Sequence, residues 1–376
     1  MDHGKRPFGV YIHVPFCAAR CGYCDFNTYV PDGSGQQLDF VQAALAELRL
    51  ARAELGPRRV STVFIGGGTP TLLGAGALLA LLDGVRQTFG LETGAEVTTE
   101  ANPESVDPAL FRALHGGGFT RVSLGMQSAA PHVLRTLDRA HTPGRAIAAA
   151  REARDAGFEH VSLDLIYGTP GETDADWEAS LEAALSAEPD HISAYALTIE
   201  PGTALAAAIR LGVLQAPDDA AQARRYALAD EHLQAAGLEW YEISNWARGE
   251  QARCRHNIGY WRSYDWWGIG PGAHSHVGGV RWWNVLRPLA YANRLREGRS
   301  PAAERESLTA EELALEAVML GVRERAGLAL TALSDAGRQA LEAEVAARRV
   351  VLSGDRVQLT AEGRLFADHV VRQLSQ

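Results

Sequence analysis

Three cysteines lie within eight residues near the start of the chain, and their spacing is typical of a metal or cluster site. Cys17, Cys21 and Cys24 form a CX3CX2C run on one short predicted loop. Thiolates hold iron–sulfur clusters, and three of them on a cubane 4Fe–4S cluster leave one iron open to an exchangeable ligand. A structural zinc site needs further ligands, and the later candidates, Cys254 and His256, lie more than 200 residues away. The spacing therefore favours a cluster and leaves zinc as the alternative.

Polar residues follow several predicted strands, at positions where a bound ligand would meet them. The glycine run 66–68 lets a ligand approach the backbone closely because no Cβ intervenes. Glu100, Gln127 and Asp164 lie at or just beyond strand ends, where barrels of parallel strands bind their ligands. Arg139 offers a bidentate fork for a carboxylate. Each of these is also an ordinary capping or surface residue when taken alone, but together they predict a polar ligand site.

An aromatic segment is a second candidate surface. Seven of the eight tryptophans lie within residues 240–283. They could simply form a core, or they could wall a site for a porphyrin, which is a large, flat, apolar ligand that also needs an axial iron ligand. His256 is the predicted iron ligand and the adjacent Cys254 its main competitor, with His274 and His276 as further candidates.

The elements that must position these residues alternate between strand and helix over the first 200 residues. Six strand–helix units predict parallel pairing with right-handed crossovers. The fold class is therefore α/β, as a partial (β/α)6 barrel with its ligands at the C-terminal strand ends. Strands are predicted at 10–14, 60–65, 95–99, 121–124, 160–166 and 191–197, and helices at 40–55, 75–89, 108–115, 143–156 and 174–187.

The remaining chain divides into two further parts. We predict residues 1–200 as the barrel with the cluster and ligand site, and 201–304 as an aromatic-rich extension and candidate heme region. Residues 305–376 are predicted as a C-terminal α+β domain with helix, helix, helix, hairpin, helix, an order that resembles a winged helix. This last part has nine Arg against eleven Asp and Glu, which argues against DNA binding.

Composition narrows the function classes. The net charge of −10 and the lack of a basic run argue against a nucleic-acid partner. No apolar stretch reaches the roughly 18 residues that a transmembrane helix needs, and no signal peptide is predicted. We therefore expect a cytoplasmic protein with reduced thiols. A transient contact with a membrane protein stays open.

Two motifs give the chain a resemblance to a known family. YIHVPFC at 11–17 and IGGGTPT at 65–71 resemble the radical S-adenosylmethionine (SAM) superfamily, within it the oxygen-independent coproporphyrinogen III oxidase group. The chain is more similar to the heme-chaperone branch of that group than to the oxidases. Phe26 stands where the oxidase motif has a fourth cysteine, and HNIGYW at 256–261 matches the HNXXYW motif of the chaperone branch.

The resemblance implies the cofactors. In this superfamily the open iron binds the amino and carboxylate groups of SAM, and one-electron reduction cleaves SAM to a 5′-deoxyadenosyl radical. By resemblance, the cluster ligands are Cys17, Cys21 and Cys24. The implied cofactor-binding residues are Tyr11, Tyr23, Gly67, Gly68, Thr69, Glu100, Gln127, Arg139, Asp164, Ala196 and His256. Among them the residues at 67–69 contact the methionine amino group, Ala196 packs against the adenine, and the Tyr11 ring is placed to cover the cluster.

The function implied is that of a heme chaperone, which binds heme and transfers it to an acceptor protein that the sequence does not identify. The alternative is the oxidative decarboxylation of coproporphyrinogen III in porphyrin biosynthesis, where the radical abstracts a β-hydrogen of a propionate. One is a carrier and the other a catalyst, so the question of enzymatic activity stays open. The missing fourth cysteine and the HNXXYW segment favour the carrier.

Overall fold

The strands and helices of the first 200 residues follow one another in the predicted alternation. The computed structural model describes residues 6–139 and 142–376. In chain order the elements are β1 Phe8–Val14, α1 Ser34–Leu55, β2 Val60–Gly67, α2 Gly74–Thr88, β3 Leu91–Ala101, α3 Pro108–Gly116, β4 Arg121–Gln127, α4 Pro131–Thr136, α5 Arg145–Asp155, β5 His160–Tyr167, α6 Asp174–Leu185 and β6 His191–Ala196.

The six strands lie side by side in chain order, and each pairs in parallel with the next. Successive side chains of a strand point to opposite faces. In β1, Val10 and Ile12 are fully buried in the hydrophobic core that the sheet shares with α1 and α2. Tyr11 and His13 point to the opposite, inner face. The predicted α/β class with a six-unit partial barrel is confirmed, and this inner face is where the site residues gather.

The following segment widens the same sheet at both of its edges. β9 pairs in parallel with β1, and β10, β11 and β12 continue outward from it, while β8 and β7 add antiparallel strands beyond β6. Trp240, Trp246 and Trp267 are buried in the main core, so for these three the core interpretation holds. The elements are α7 Ala204–Arg210, α8 Asp219–Ala235, β7 Glu239–Glu242, β8 Asn245–Ala247, α9 Arg255–Trp261, β9 Asp265–Ile269, β10 His274–Val277, β11 Val280–Asn284, α10 Pro288–Arg296 and β12 Ala302–Ser307.

The C-terminal segment has a three-stranded sheet and a hydrophobic cluster of its own. The predicted hairpin is present as β14 and β15. Two helices precede it instead of the predicted three, because Leu328–Ala329 forms a short strand that pairs with β15. The elements are α11 Ala310–Gly321, β13 Leu328–Ala329, α12 Asp335–Ala346, β14 Val350–Ser353, β15 Arg356–Leu359, α13 Ala361–Leu365 and α14 Ala367–Leu374. Within the described ranges, no helix has both the length and the apolar character needed to cross a membrane.

Candidate functional site

The three cysteines lie on the segment that connects β1 to α1, which we call the cluster loop (residues 15–30). Its two arms are joined by backbone hydrogen bonds, because the N–H of Cys17 donates to the Tyr29 carbonyl at 3.0 Å and that of Tyr29 to the Pro15 carbonyl at 2.7 Å. A turn relates the other two cysteines, where the N–H of Cys24 donates to the Cys21 carbonyl at 3.2 Å. All three thiols are half-buried and free. One closed frame thus presents three thiols beyond the end of β1.

The glycine run at the end of β2 packs directly against the cluster loop. The N–H of Gly68 donates to the Val14 carbonyl at 2.8 Å, and that of Thr69 to the Phe16 carbonyl at 2.7 Å. A Cβ on Gly68 would lie 2.4 Å from the Phe16 oxygen and 3.0 Å from Cys17 Sγ. The Thr69 hydroxyl lies 3.9 Å from the same sulfur. Glycine is therefore required at position 68 for the backbone to reach the cysteines.

The three thiols fit a cluster better than a single metal ion. Among the residues that the structure describes, no three His, Cys, Asp or Glu side chains converge as the ligands of one ion do. A cubane binds each cysteine through a different iron, so its thiolates stay apart. Cys254, which the zinc alternative requires, is instead buried beside Glu96 of β3, with its Sγ 3.7 Å from Oε1. Burial raises the pKa of Cys17 and of Cys24, and ligation to iron offsets this because iron binds the thiolate form.

Two carboxyl groups face a cavity of about 310 Å³ on the inner face of the barrel, Glu100 from β3 and Asp164 from β5. The N–H of Gly67 donates to Glu100 Oε2 at 2.9 Å, which ties this carboxyl group to the glycine run. Ser123 Oγ lies 2.9 Å from each Asp164 oxygen. Burial, followed by the charge of Asp164, raises the pKa of Glu100 to about 7, and burial also raises the pKa of Asp164. A cationic ligand in this cavity would favour both ionised forms.

Arg139 connects the cluster loop to the end of β4. Its Nη1 donates to Cys21 Sγ at 3.4 Å and its Nη2 to the Gly125 carbonyl at 3.2 Å. Its Nε is buried and has no hydrogen-bond partner within the described part of the chain. Beside it, Gln127 is buried with a φ of 66°, an uncommon left-handed backbone for a non-glycine residue, at a bulge of β4. The free N–H of Arg139 is the donor that a ligand carboxylate would satisfy.

The other predicted residues differ in how close they lie to this cavity. Tyr11 lines it, and its hydroxyl is 3.0 Å from His13 Nδ1. Asp164 lines it from within β5, three residues before the strand end rather than at it. Neither Tyr23 nor Ala196 is part of the cavity wall that the described residues form: Tyr23 packs in a small apolar cluster, and Ala196 is exposed at the end of β6.

The prediction that His256 ligates a heme iron does not fit its surroundings. Thr62 Oγ1 lies 2.8 Å from its Nδ1, and Tyr260 Oη lies 2.9 Å from its Nε2. The residue is 3% exposed, and burial lowers its pKa to about 4. Ligation would require one of these hydrogen bonds to break inside the cavity. The structure therefore gives His256 a different role, in which its neutral ring helps to form the cavity wall. The competing ligand Cys254 is buried as well, and burial raises the pKa of its thiol.

Comparison with known proteins identifies the family. The sequence pattern of the radical SAM superfamily matches residues 11–184, from β1 into α6. Over 371 residues, which cover 98% of this chain and 95% of the relative, the chain is 55% identical to the heme chaperone HemW of Mycobacterium tuberculosis (strain ATCC 25618 / H37Rv). The chain belongs to the HemW family. It is also 32% identical over 370 residues to the heme chaperone HemW of Bacillus subtilis (strain 168), covering 96% of this chain and 97% of that one.

A solved structure agrees with this HemW-family assignment at the level of the fold. Coproporphyrinogen III oxidase (HemN) from Escherichia coli, a radical SAM enzyme, has a TM-score of 0.85 to this chain at 23% sequence identity, over 99% of this chain and 91% of that one. Membership of the radical SAM superfamily implies a 4Fe–4S cluster and SAM as cofactors. The three free thiols and the polar cavity described above fit both groups.

Sequence reasoning missed several residues of this HemW-family cavity. Ser123, Ser162 and Ser193 line it, and each is the third residue of its strand, β4, β5 or β6. The signal that could have identified them is polar alternation within an otherwise apolar strand, since side chains two residues apart share a face. Tyr195, two residues beyond Ser193, lines the cavity for the same reason.

Proposed function

We propose that the chain is a heme chaperone that binds heme, transfers it to an acceptor protein and carries a SAM-ligated 4Fe–4S cluster. The observation that carries this proposal is the 55% identity, over 98% of the chain, to the heme chaperone HemW of M. tuberculosis. Phe26, which replaces the fourth cysteine of the oxidase motif, supports a carrier rather than an oxidase. A cytoplasmic location and a three-part division of the chain at residues 200 and 304 belong to the same proposal.

Cys17, Cys21 and Cys24 are the proposed ligands of the cluster. They lie on one loop frame, and Arg139 and Thr69 contact two of the sulfurs. These contacts stabilise negative charge on the sulfurs, because a hydrogen bond to an ionised group is stronger than one to a neutral group. When bound, the cluster supplies one-electron reduction of SAM.

The proposed SAM site extends from the cluster loop into the cavity. The N–H of Arg139 Nε would bind the SAM carboxylate, and the backbone at 67–69 would lie against the methionine amino group. Glu100 and Asp164 would meet the positive charge and the ribose hydroxyls, because both accept hydrogen bonds when ionised. The remaining proposed contacts are Tyr11, Tyr23, Gln127 and Ala196, of which Tyr11 lines the cavity.

Heme is the proposed cargo and the acceptor is a protein of unknown identity. The candidate heme region is the extension 201–304, whose outer strands β10, β11 and β12 continue the sheet beyond β9. Trp266, Trp282 and Trp283 of this region are only partly buried, so their rings are available to an apolar ligand, unlike those in the core. The net charge of −10 makes a nucleic-acid partner unlikely to compete.

The test is anaerobic reconstitution of the full chain followed by two parallel assays. Hemin is titrated into the protein and followed by its Soret absorption, and coproporphyrinogen III is incubated with the protein, SAM and dithionite. We expect saturable heme binding and no decarboxylated product. Cys254→Ser is the control for the cluster, since that cysteine lies outside the cluster loop. A chain that binds no heme and converts coproporphyrinogen III would overturn the proposal in favour of the oxidase.

A further inference from the structure

The start of β10 is anchored to the cluster loop. The side-chain amide of Asn27 donates to the Pro271 carbonyl at 3.0 Å and to the Leu286 carbonyl at 2.8 Å. A Cβ on Gly272 would lie 2.7 Å from Asn27 Nδ2, so this packing is close. His274, the first residue of β10, therefore lies three residues from a direct contact with the loop that carries the three cysteines.

The imidazole of His274 is held at the surface by one neighbouring ring. His274 and Trp283 are opposite each other in the antiparallel pair of β10 and β11, so their side chains project from the same face. The two rings stack with centroids 5.6 Å apart and an interplanar angle of 25°. His274 is exposed and Trp283 is half-buried. Stacking thus fixes the orientation of an imidazole that remains open to solvent.

The ring nitrogens of His274 have no hydrogen-bond partner within residues 6–139 and 142–376. Nearby histidines differ in this respect. Both ring nitrogens of His13 and of His256 are hydrogen-bonded, and the buried His276 has its Nδ1 2.9 Å from the Tyr264 carbonyl oxygen. Burial by its neighbours lowers the pKa of His274, which favours the neutral imidazole, the form that ligates metals.

Exposed apolar side chains continue from these rings toward the cluster loop. Leu286 follows β11 and is 59% exposed, and Leu289 is 68% exposed. Phe26, on the cluster loop itself, is 56% exposed. Exposed apolar groups of this size in one region mark a binding surface more often than a random surface feature. A ligand that combines a large apolar face with a metal needing an imidazole matches this surface.

We propose that His274, oriented by Trp283, is the axial ligand of the heme iron, and that the macrocycle lies on the surface between β10, β11 and the cluster loop. This inference rests on the proposed heme-chaperone function and deepens it. An imidazole coordinates iron in the plane of its own ring, so Trp283, which stacks on that ring, sets the direction from which the iron approaches.

The experiment compares hemin titrations of the full chain carrying no change, His274→Ala, His256→Ala or His232→Ala. His232, on α8, is the matched control because α8 packs at the other side of the sheet, near β6 and β7. Soret position, the spin state by electron paramagnetic resonance, and stoichiometry are recorded, with and without added imidazole. Folding is checked by circular dichroism, and the exposed, unbonded ring of His274 makes its removal compatible with folding.

We expect His274→Ala to shift the Soret band or to weaken hemin binding at least tenfold, with free imidazole restoring the wild-type spectrum. His232→Ala should match the wild type. An unchanged spectrum in His274→Ala, or a spectrum that depends on His256 alone, would overturn the ligand assignment while leaving the chaperone proposal intact. A wild-type chain that binds no heme would instead remove the chaperone proposal, and the inference with it.

Discussion

Replacing Gly68 by alanine tests the contact between the glycine run and the cluster loop. The added Cβ would lie 2.4 Å from the Phe16 carbonyl oxygen and 3.0 Å from Cys17 Sγ. Ordinary contacts of a Cβ begin near 3.4 Å, so the backbone must move apart by about 1 Å. The atom that is met belongs to the backbone, and no side-chain rotation can relieve the clash.

The expected loss follows from the bonds that hold this contact. Two backbone hydrogen bonds join the glycine run to the loop, from Gly68 to Val14 at 2.8 Å and from Thr69 to Phe16 at 2.7 Å. Each contributes roughly 0.5–1.5 kcal/mol, so separation of the two segments should destabilise the loop by about 1–3 kcal/mol. Because the Cys17 sulfur is displaced as well, we expect reconstituted iron and the visible cluster absorption to fall.

The assay is iron content and visible absorption after anaerobic reconstitution, with Gly76→Ala as the matched control. Gly76 is exposed in α2, and an added Cβ would meet nothing within 4 Å. Alanine in a helix should stabilise it by up to about 1 kcal/mol and leave the cluster unchanged. If Gly68→Ala reconstitutes as much cluster as Gly76→Ala, the close packing of the two segments is wrong.

Three further predictions concern the cofactors. Cys21→Ser should lose most of the reconstituted iron and Cys254→Ser should keep it, so equal iron in the two variants would contradict the ligand assignment. Removing the Asp164 carboxylate should weaken SAM binding by about 1–3 kcal/mol, measured by calorimetry with cluster content unchanged, because buried polar partners lose an acceptor. SAM carries a positive sulfonium and favours ionised Glu100, whose pKa burial raises to about 7; affinity should therefore fall as pH drops below 7, by at most about tenfold per unit, and Glu100→Gln should abolish this dependence.

Local signals in the sequence were enough for the barrel and the cluster loop. Apolar segments separated by helix-length stretches predicted six parallel units, and the structure has β1 to β6 in that order. The CX3CX2C spacing and the glycine run depend on residues close together in the chain, where loop geometry and the absence of a Cβ act directly. These features could be predicted because each is set within a few residues, and parallel strands then align their C-terminal ends.

Contacts between distant segments had no such signal. β9 pairs in parallel with β1 although about 250 residues separate them, and local periodicity does not specify a pairing partner. The buried pair of Arg121 and Glu96, 3.4 Å apart, closes one part of the cavity wall in the same way. Periodicity indicates which face of an element is apolar, but not which element will cover it.

The histidines show most clearly what each level decides. The sequence by itself determined that His256 and His274 lie in an aromatic segment near the end of a radical SAM barrel. Only the tertiary structure decided that Thr62, 194 residues before His256, occupies one of its ring nitrogens, while β11 leaves His274 exposed. The physical reason is that a residue's type sets what it can bind, whereas burial and hydrogen-bond partners, which come from distant segments, set whether that capacity is already used.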